Sequence, residues 1–348
     1  GYTGNRPQDG CGEPGKRRAY GEQTGILCSQ GVREKRGMKM AREKNAGERA
    51  VHAGGRSWWK KNVGLALIIP WWIGFAVFKL YPFITSMVYS LHDYNLFRQP
   101  KFLGLGNYIS ILNDSLTMKA FWVTFKYAVC TVPLELGFAL FIAYILNYKM
   151  KGINFFRTAY YIPSILGGSV SIAVLWKFLF KTEGLVNMIL GRFGVEPFNW
   201  LGDPNGSFLV IVLLKVWQFG SPMVIFLAAL KGVSEDLYEA ASIDGARKWR
   251  QFISITVPLI TPVIFYNFVT QLCNKFQEFN GPFIITQGGP LRSTTLVSLL
   301  VYNNAFKSYD MGMASAIAWL LFLIIMMFTA VAFISQKHWV YYSDEDGR

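Results

Sequence analysis

The sequence predicts an all-α membrane protein with six transmembrane helices, and three observations carry that prediction. Of the 348 residues 52 % are apolar and only 16 % are charged, too greasy a composition for an ordinary soluble domain of this length. Six segments are apolar over enough length to cross a hydrocarbon core, which takes roughly 20 helical residues because lipid offers the backbone amides no partner. Cys11, Cys28, Cys130 and Cys273 lie far apart without any CxxC pair or His-rich neighbour, so neither a zinc site nor a disulfide framework is suggested.

Residues 1–57 read as a basic tail. Fourteen of the 35 Lys and Arg residues fall at or before Lys61, so the net charge of +14 belongs chiefly to this stretch and does not describe a nucleic-acid face. The tail holds almost no large apolar side chains and is expected to be disordered, since it buries too little surface to offset its ordering entropy. Met38 looks more like a natural start than anything upstream of it, which leaves residues 1–37 open as a translation artefact. No secretory signal peptide is expected, because the first apolar run is long, lies deep in the chain and lacks a small-residue cleavage pattern.

The membrane region covers 58–337, with spans expected at Val63–Leu91, Ala120–Leu146, Thr158–Phe180, Ser207–Leu230, Thr261–Ile285 and Met311–Ser335. The sixth carries no charge from Met311 through Gln336, whereas Lys79, Glu135, Lys215, Lys275 and Glu278 fall within or near the others. Trp58, Trp59, Trp71, Trp72, Tyr81 and Trp339 sit near span ends, where amphipathic rings prefer the headgroup level. The basic tail with Lys60 and Lys61 argues for a cytoplasmic N-terminus, and six spans return the short tail 338–348 to the same side. The remaining loops are nearly balanced, nine basic residues on the inner side against eight on the outer, so orientation rests on the first flank.

Between spans four and five, the loop 231–262 reads as two short helices. Ser234 suits an N-cap, and Glu235 and Asp236 complement the positive end of the first helix. Leu237, Ala240 and Ala241 share a face. Asp244-Gly245 then breaks the helix, with Asp244 suited to cap the next one. Trp249, Phe252 and Ile253 give the second helix an apolar side that Pro258 and Pro262 limit. Pattern alone fits equally a plain amphipathic helix on the membrane surface.

The residues themselves are more specific. Glu239-Ala240-Ala241-Ser242-Ile243-Asp244-Gly245-Ala246, followed by Trp249, Phe252 and Pro258, resembles the EAA loop of ABC-importer permeases. The likeness extends over the whole membrane region and is nearest to sugar permeases of the maltose and glycerol-phosphate type. Tyr81-Pro82, Leu103-Gly-Leu-Gly-Asn107-Tyr108, Arg157-Thr-Ala-Tyr-Tyr-Ile-Pro163 with Trp176, and Thr286-Gln-Gly-Gly-Pro290 with Ser293-Thr294-Thr295 carry it. Glu135 and the long N-terminal extension depart from the family pattern.

The resemblance implies the ABC type I importer (MetI-like) permease fold in a bacterial cytoplasmic membrane. It implies a coupling helix formed by Glu239, Ala240, Ala241, Asp244, Gly245, Ala246 and Trp249. Its expected partners are a second permease subunit, two ATP-binding subunits holding ATP and Mg, an extracytoplasmic solute-binding protein and a sugar or sugar-like solute. The chain itself has no GxxxxGK[ST] run and no HExxH, and His52, His92 and His338 are widely separated, so no catalytic centre, metal or cofactor of its own is expected.

For the solute path, Asn267, Gln271, Asn274, Gln277 and Glu278 recur at helical steps in span five, with Gln271, Asn274 and Glu278 as their central line. Phe276 and Phe279 lie beside them, and Trp217, Gln218 and Ser221 mark the middle of span four, so that hydrogen-bonding groups and aromatic surface for a sugar are both at hand. The same amides serve equally as glue between helices. Gly220, Ser221 and Pro222 suit a bend in span four. Glu135 and Lys215 are read either as a buried ion pair or as snorkelling groups. An ion-coupled secondary transporter using Glu135, Glu278 and the membrane lysines as a relay is the rival reading.

Overall fold

The computed structural model describes residues 67–148 and 151–341 together with Met40 and Gly64. The expectations for the tail 1–57, for Trp58, Trp59, Lys60 and Lys61, for Cys11, Cys28 and His52, and for residues 342–348 lie outside the described residues. By its contacts the chain divides between Tyr81 and Pro82.

The first helix, α1 (Leu67–Ser90), is long and apolar enough to cross a membrane and contains a π-helical turn at Ala76–Leu80. Before the division none of that π turn is buried, and the rings of Trp71, Trp72 and Phe75 pack on one another, with Trp71 and Phe75 stacked at 5.6 Å. Apolar side chains left outward in this way suit lipid, not water.

The second unit begins with the remainder of α1 and a two-residue hairpin, β1 (His92–Asp93) against β2 (Lys101–Phe102), with His92 opposite Phe102. In α2 (Gly106–Asn113) the buried Asn107 donates to the carbonyls of Ser90 and His92, both at 2.9 Å. Tyr108 donates to the Ser90 hydroxyl at 2.9 Å. These bonds give the Gly-Asn-Tyr signature a structural reason: it closes the carbonyls that the end of α1 leaves open.

A single long helix, α3 (Ser115–Asn147), forms the centre and passes through Pro133 without ending. Its small inward positions, Ala128, Ala139 and Ala143, let neighbours approach, as small residues do at helix contacts in membranes. Ala139 and Ala143 meet Phe219, Met223 and Phe226 in one cluster, and Ala120 and Ala128 meet Leu272, Phe276 and Ile317 in another.

Three of the expected straight spans are broken. The third consists of α4 (Ile153–Leu166) and α5 (Val170–Leu179), set at 100° across Gly167-Gly168. A short helix, α6 (Leu185–Arg192), occupies the following loop, where the Asn187 side-chain oxygen accepts a hydrogen bond from the Trp200 indole at 2.9 Å and its amide nitrogen donates to the Thr182 and Phe198 carbonyls. The fourth span is α7 (Pro204–Trp217) and α8 (Gly220–Lys231), bent by 42° at Gln218-Phe219, next to the expected Gly220-Ser221-Pro222 kink.

After α9 (Glu235–Ile243), the fifth span pairs α10 (Lys248–Leu259) with α11 (Thr261–Phe276) at 68°. It corrects the expected Thr261–Ile285 helix, which ends nine residues early. Pro258 lies in the last turn of α10, which ends at Leu259 as expected, and Pro262 stands in the first turn of α11, where a missing N–H costs nothing. Beyond Phe276 the chain makes a π turn at Pro282–Thr286 and then α12 (Val297–Tyr302), extended by a π turn at Asn303–Lys307.

The Thr-Gln-Gly-Gly-Pro run is a self-knitted loop. Thr294 donates to the Gly289 carbonyl at 2.8 Å, Thr295 to the Gly288 carbonyl at 2.9 Å, and Gly288 sits at φ +86°. The Val297 amide donates to Thr124 of α3 at 2.9 Å, which ties α12 to the centre. The last helix, α13 (Met311–Trp339), starts on an Asp310 cap and is the uninterrupted sixth span.

Candidate functional site

The breaks in spans three and four meet the C-terminal end of α11 at one place. Around a cavity of about 370 Å³ stand Ser164 at the end of α4, Lys215 at the end of α7, Gln218 in the α7–α8 break and Ser221 in the first turn of α8. Gln271, Asn274 and Lys275 from α11, Gln277 and Glu278 just beyond it, and Glu135 from α3 complete most of the wall.

Hydrogen bonds tie the two breaks and the end of α11 together. The Gln218 side chain donates to the Gly167 carbonyl at 3.1 Å, and a Cβ on Gly167 would lie 2.4 Å from the Gln218 amide carbon, so only glycine admits this approach. The Ser164 and Ser221 hydroxyls lie 2.5 Å apart, and the Ser221 amide donates to Ser164 at 3.0 Å. Asn280 donates to the Gly168 carbonyl at 3.4 Å, and Glu278 accepts from the Gly281 amide at 3.0 Å. Backbone freed where helices break is thereby satisfied by polar side chains, as a bilayer interior requires.

Four charges pair within the same space. The Lys215 ammonium lies 2.8 Å from a Glu278 carboxylate oxygen and also donates to Gln218 at 3.2 Å. The Lys275 ammonium lies 2.5 Å from Glu135. This arrangement corrects the suggested Glu135–Lys215 pair: each takes its partner from the end of span five. Side chains of the inner pair are 6 % and 3 % exposed, those of the outer pair 14 % and 10 %. Taking such ions out of water costs several kcal/mol each, so breaking one pair leaves an uncompensated charge at roughly 3–5 kcal/mol. The inner pair is a strut between α3 and α11; the outer pair faces the cavity.

Of the residues singled out from sequence, Gln271, Asn274, Glu278, Gln218 and Ser221 reach this cavity. Trp217 does not; its ring packs on Trp176 at 5.4 Å. The expected aromatic wall is likewise displaced, since Phe276 stacks on Phe328 at 5.5 Å and Phe279 stacks on Phe283 at 4.8 Å. Asn267 is buried at 1 % exposure away from the cavity. Ser164 was not anticipated, because its role depends on the α4–α5 bend.

The second locus is the knuckle formed by α9 and α10. Ser234 caps α9, accepting from the Asp236 amide at 3.3 Å. Gly245 at φ +77° ends it, and the Ala246 amide returns to the Ala241 carbonyl at 2.9 Å. Asp244 does not cap the next helix; the N-cap position of α10 is Arg247, whose side chain makes no capping bond. Gln251, which the pattern did not mark, bridges the turn by donating to the Ser242 hydroxyl and the Ala246 carbonyl, both at 2.9 Å. Tyr238 and Thr256 hydroxyls close the base at 2.7 Å.

No residue of α9 is buried, and Ile243 and Trp249 are 88 % and 71 % exposed. Glu239, Ala240, Asp244 and Gly245 are also exposed, while Ala241 and Ala246 are half-buried. A braced turn with large apolar groups pointing outward has the chemistry of a docking surface.

Known proteins share this architecture. The model of the family described as "Binding-protein-dependent transport system inner membrane component" matches residues 135–340, more than half of the chain. A probable ABC transporter permease protein of Bacillus subtilis (strain 168), YesP, is 42 % identical over 84 % of this chain and 96 % of its own. The trehalose/maltose transport system permease protein MalF of Thermococcus litoralis is 35 % identical over 78 % of this chain and 92 % of its own. The crystal structure of a bacterial ABC transporter involved in import of the acidic polysaccharide alginate contains a chain that aligns with a TM-score of 0.70. It covers 81 % of this chain and 98 % of its own, and at 22 % identity it shows the fold. Broken spans around a polar cavity, an exposed Glu-Ala-Ala knuckle and these likenesses agree: the chain belongs to the binding-protein-dependent transport system inner membrane components, the permeases of ABC importers.

Proposed function

We propose that the chain is one of two permease subunits that together import a sugar, with the cavity between the breaks of spans three and four and the end of α11 as its part of the solute path and the α9–α10 knuckle as its joint to an ATP-binding subunit. The carrying observation is that helices lead from the knuckle to the cavity on both sides, one of them, α8, without a break. From Gly220 at the cavity, α8 runs 12 residues, roughly 18 Å, to Lys231 beside α9. Coming back, α10 and α11 lead from the knuckle to Gln271 and Asn274. A displacement of the knuckle therefore acts on the span-four break and on the end of α11 at the cavity.

In this reading the tail 1–57 and the C-terminus face the cytoplasm, and two partner subunits bind ATP and Mg and close on the knuckle. Their closure tilts α8 and α10, and the cavity opens to the other side, where a solute-binding protein delivers its cargo. This chain holds no nucleotide and makes or breaks no bond; it binds, orients and releases. Sugar hydroxyls donate and accept at once. The Lys215 ammonium, the Glu278 carboxylate and the Gln271 and Asn274 amides offer both functions, and charge-assisted bonds are the stronger kind. The trehalose/maltose permease relative supports a sugar as cargo.

Gly245 provides the test. Its φ of +77° costs a residue with a Cβ about 1–2 kcal/mol, and a β-branched one more, although no neighbouring atom lies within 4 Å of the added carbon. In the complete importer, Gly245→Val should uncouple ATP hydrolysis from uptake, and Gly245→Asn, which tolerates that backbone, should retain coupling. Wild-type coupling in the valine variant would defeat the assignment.

A further inference from the structure

A second cavity, of about 780 Å³, lies beside the knuckle and is not part of the solute path. It is framed by the end of α3, the start of α4, the end of α8 and the start of α9. Its lining carries three cations, Lys151, Arg157 and Lys231, against one carboxylate, Glu235. Tyr148 and Tyr238 supply hydroxyls at its wall. Neither Lys151 nor Lys231 forms an ion pair among the described residues, and both are exposed.

Arg157 is different in kind: one nitrogen of its guanidinium donates to the Leu146 carbonyl at 2.8 Å, and the other donates to Asn154 at 3.2 Å. It is thus held in place as a fixed positive wall. Lys248 stands nearby over the Tyr148 ring at 5.6 Å. Tyr144, Tyr148 and Tyr238 mark the headgroup level at which this cavity opens, because their rings are amphipathic.

We propose that this cavity binds a phosphate-bearing anion, supplied by the headgroup of an anionic phospholipid, and thereby ties the α3–α4 corner to the knuckle. Solvated basic loops are common at an inner membrane face, but they do not form a walled cavity with a pinned guanidinium and tyrosine hydroxyls. Lys and Arg clusters between spans on that face are suited to acidic headgroups. The inference rests on the reading that the knuckle faces the cytoplasm, and the lipid it takes then comes from the inner leaflet.

The test uses the complete importer in nanodiscs of phosphatidylcholine alone or of phosphatidylcholine doped with phosphatidylglycerol, with native mass spectrometry to count retained phosphatidylglycerol. A third arm adds inorganic phosphate to the phosphatidylcholine discs and reads the thermal unfolding midpoint. Wild type should retain phosphatidylglycerol through detergent exchange, and Lys151→Gln/Lys231→Gln, which changes only exposed side chains, should retain it about thirtyfold less tightly. If inorganic phosphate alone raises the midpoint of wild type but not of the variant, the anion site stands and its source is soluble phosphate. Equal retention by wild type and variant, with no phosphate effect, overturns the proposal. Topology is read separately: Ser242→Cys labelled by an impermeant maleimide from outside intact cells would sink the cytoplasmic reading, whatever the lipid result.

Discussion

At the scale of single residues, the inner ion pair is where the largest energies lie. Lys275→Met leaves Glu135 buried without a partner and should destabilise the purified importer by about 3–5 kcal/mol, read as a lowered unfolding midpoint. Glu135→Gln combined with Lys275→Met should recover most of that loss, because removing both charges also removes both desolvation costs. A double variant no more stable than Lys275→Met would contradict the strut. Charges in a membrane span stand out in a sequence, so Glu135, Lys215, Lys275 and Glu278 were legible as exceptions, and Glu278 as a candidate for the solute path. Their pairing was not, because it depends on which helices face each other across α3. The same holds for Trp217: a ring in mid-span reads as a sugar platform, but the neighbouring Trp176 is what it covers.

At the scale of elements, capping chemistry explains where helices start, and bends explain where the solute path lies. Asp114 caps α3 by accepting from the Leu116 and Thr117 amides, both at 3.1 Å, and from the Thr117 hydroxyl at 2.5 Å. That hydroxyl bond, followed by the two amides, holds its carboxyl below the ordinary aspartate range. A depressed folded value means that the cap contributes fully above about pH 4, the unfolded value, and is lost as pH falls through the folded one. Asp114→Ala should cost about 1 kcal/mol at neutral pH, and the difference from wild type should shrink in acid; a difference constant from pH 7 down to pH 2 would argue against it. The knuckle was legible almost residue by residue, since Ser234, Glu235 and Gly245 are local signals. The 100° turn in span three was not: Gly167-Gly168 permits it, but Gln218, 51 residues away, fixes it. The early end of span five was legible in part, since Asn280-Gly281-Pro282 is a local breaker that the apolar pattern overrode, while the use of Gln277 and Glu278 at the cavity was not.

The molecule as a whole sets a polar cavity at one end of α8 and a braced, exposed knuckle at the other. The six-span architecture followed from composition and length, and the family from the knuckle; the cavity needed the fold, since its walls come from α3, α4, α7, α8 and α11. The rival use of the same four charges, as a proton relay, predicts a different source of energy. Sugar uptake into proteoliposomes containing the complete importer and its binding protein separates the two. The account predicts uptake that requires ATP at the knuckle side and binding protein at the other, and that persists when a protonophore collapses any ion gradient. Uptake by this chain alone, driven by a proton gradient and indifferent to ATP, would contradict it.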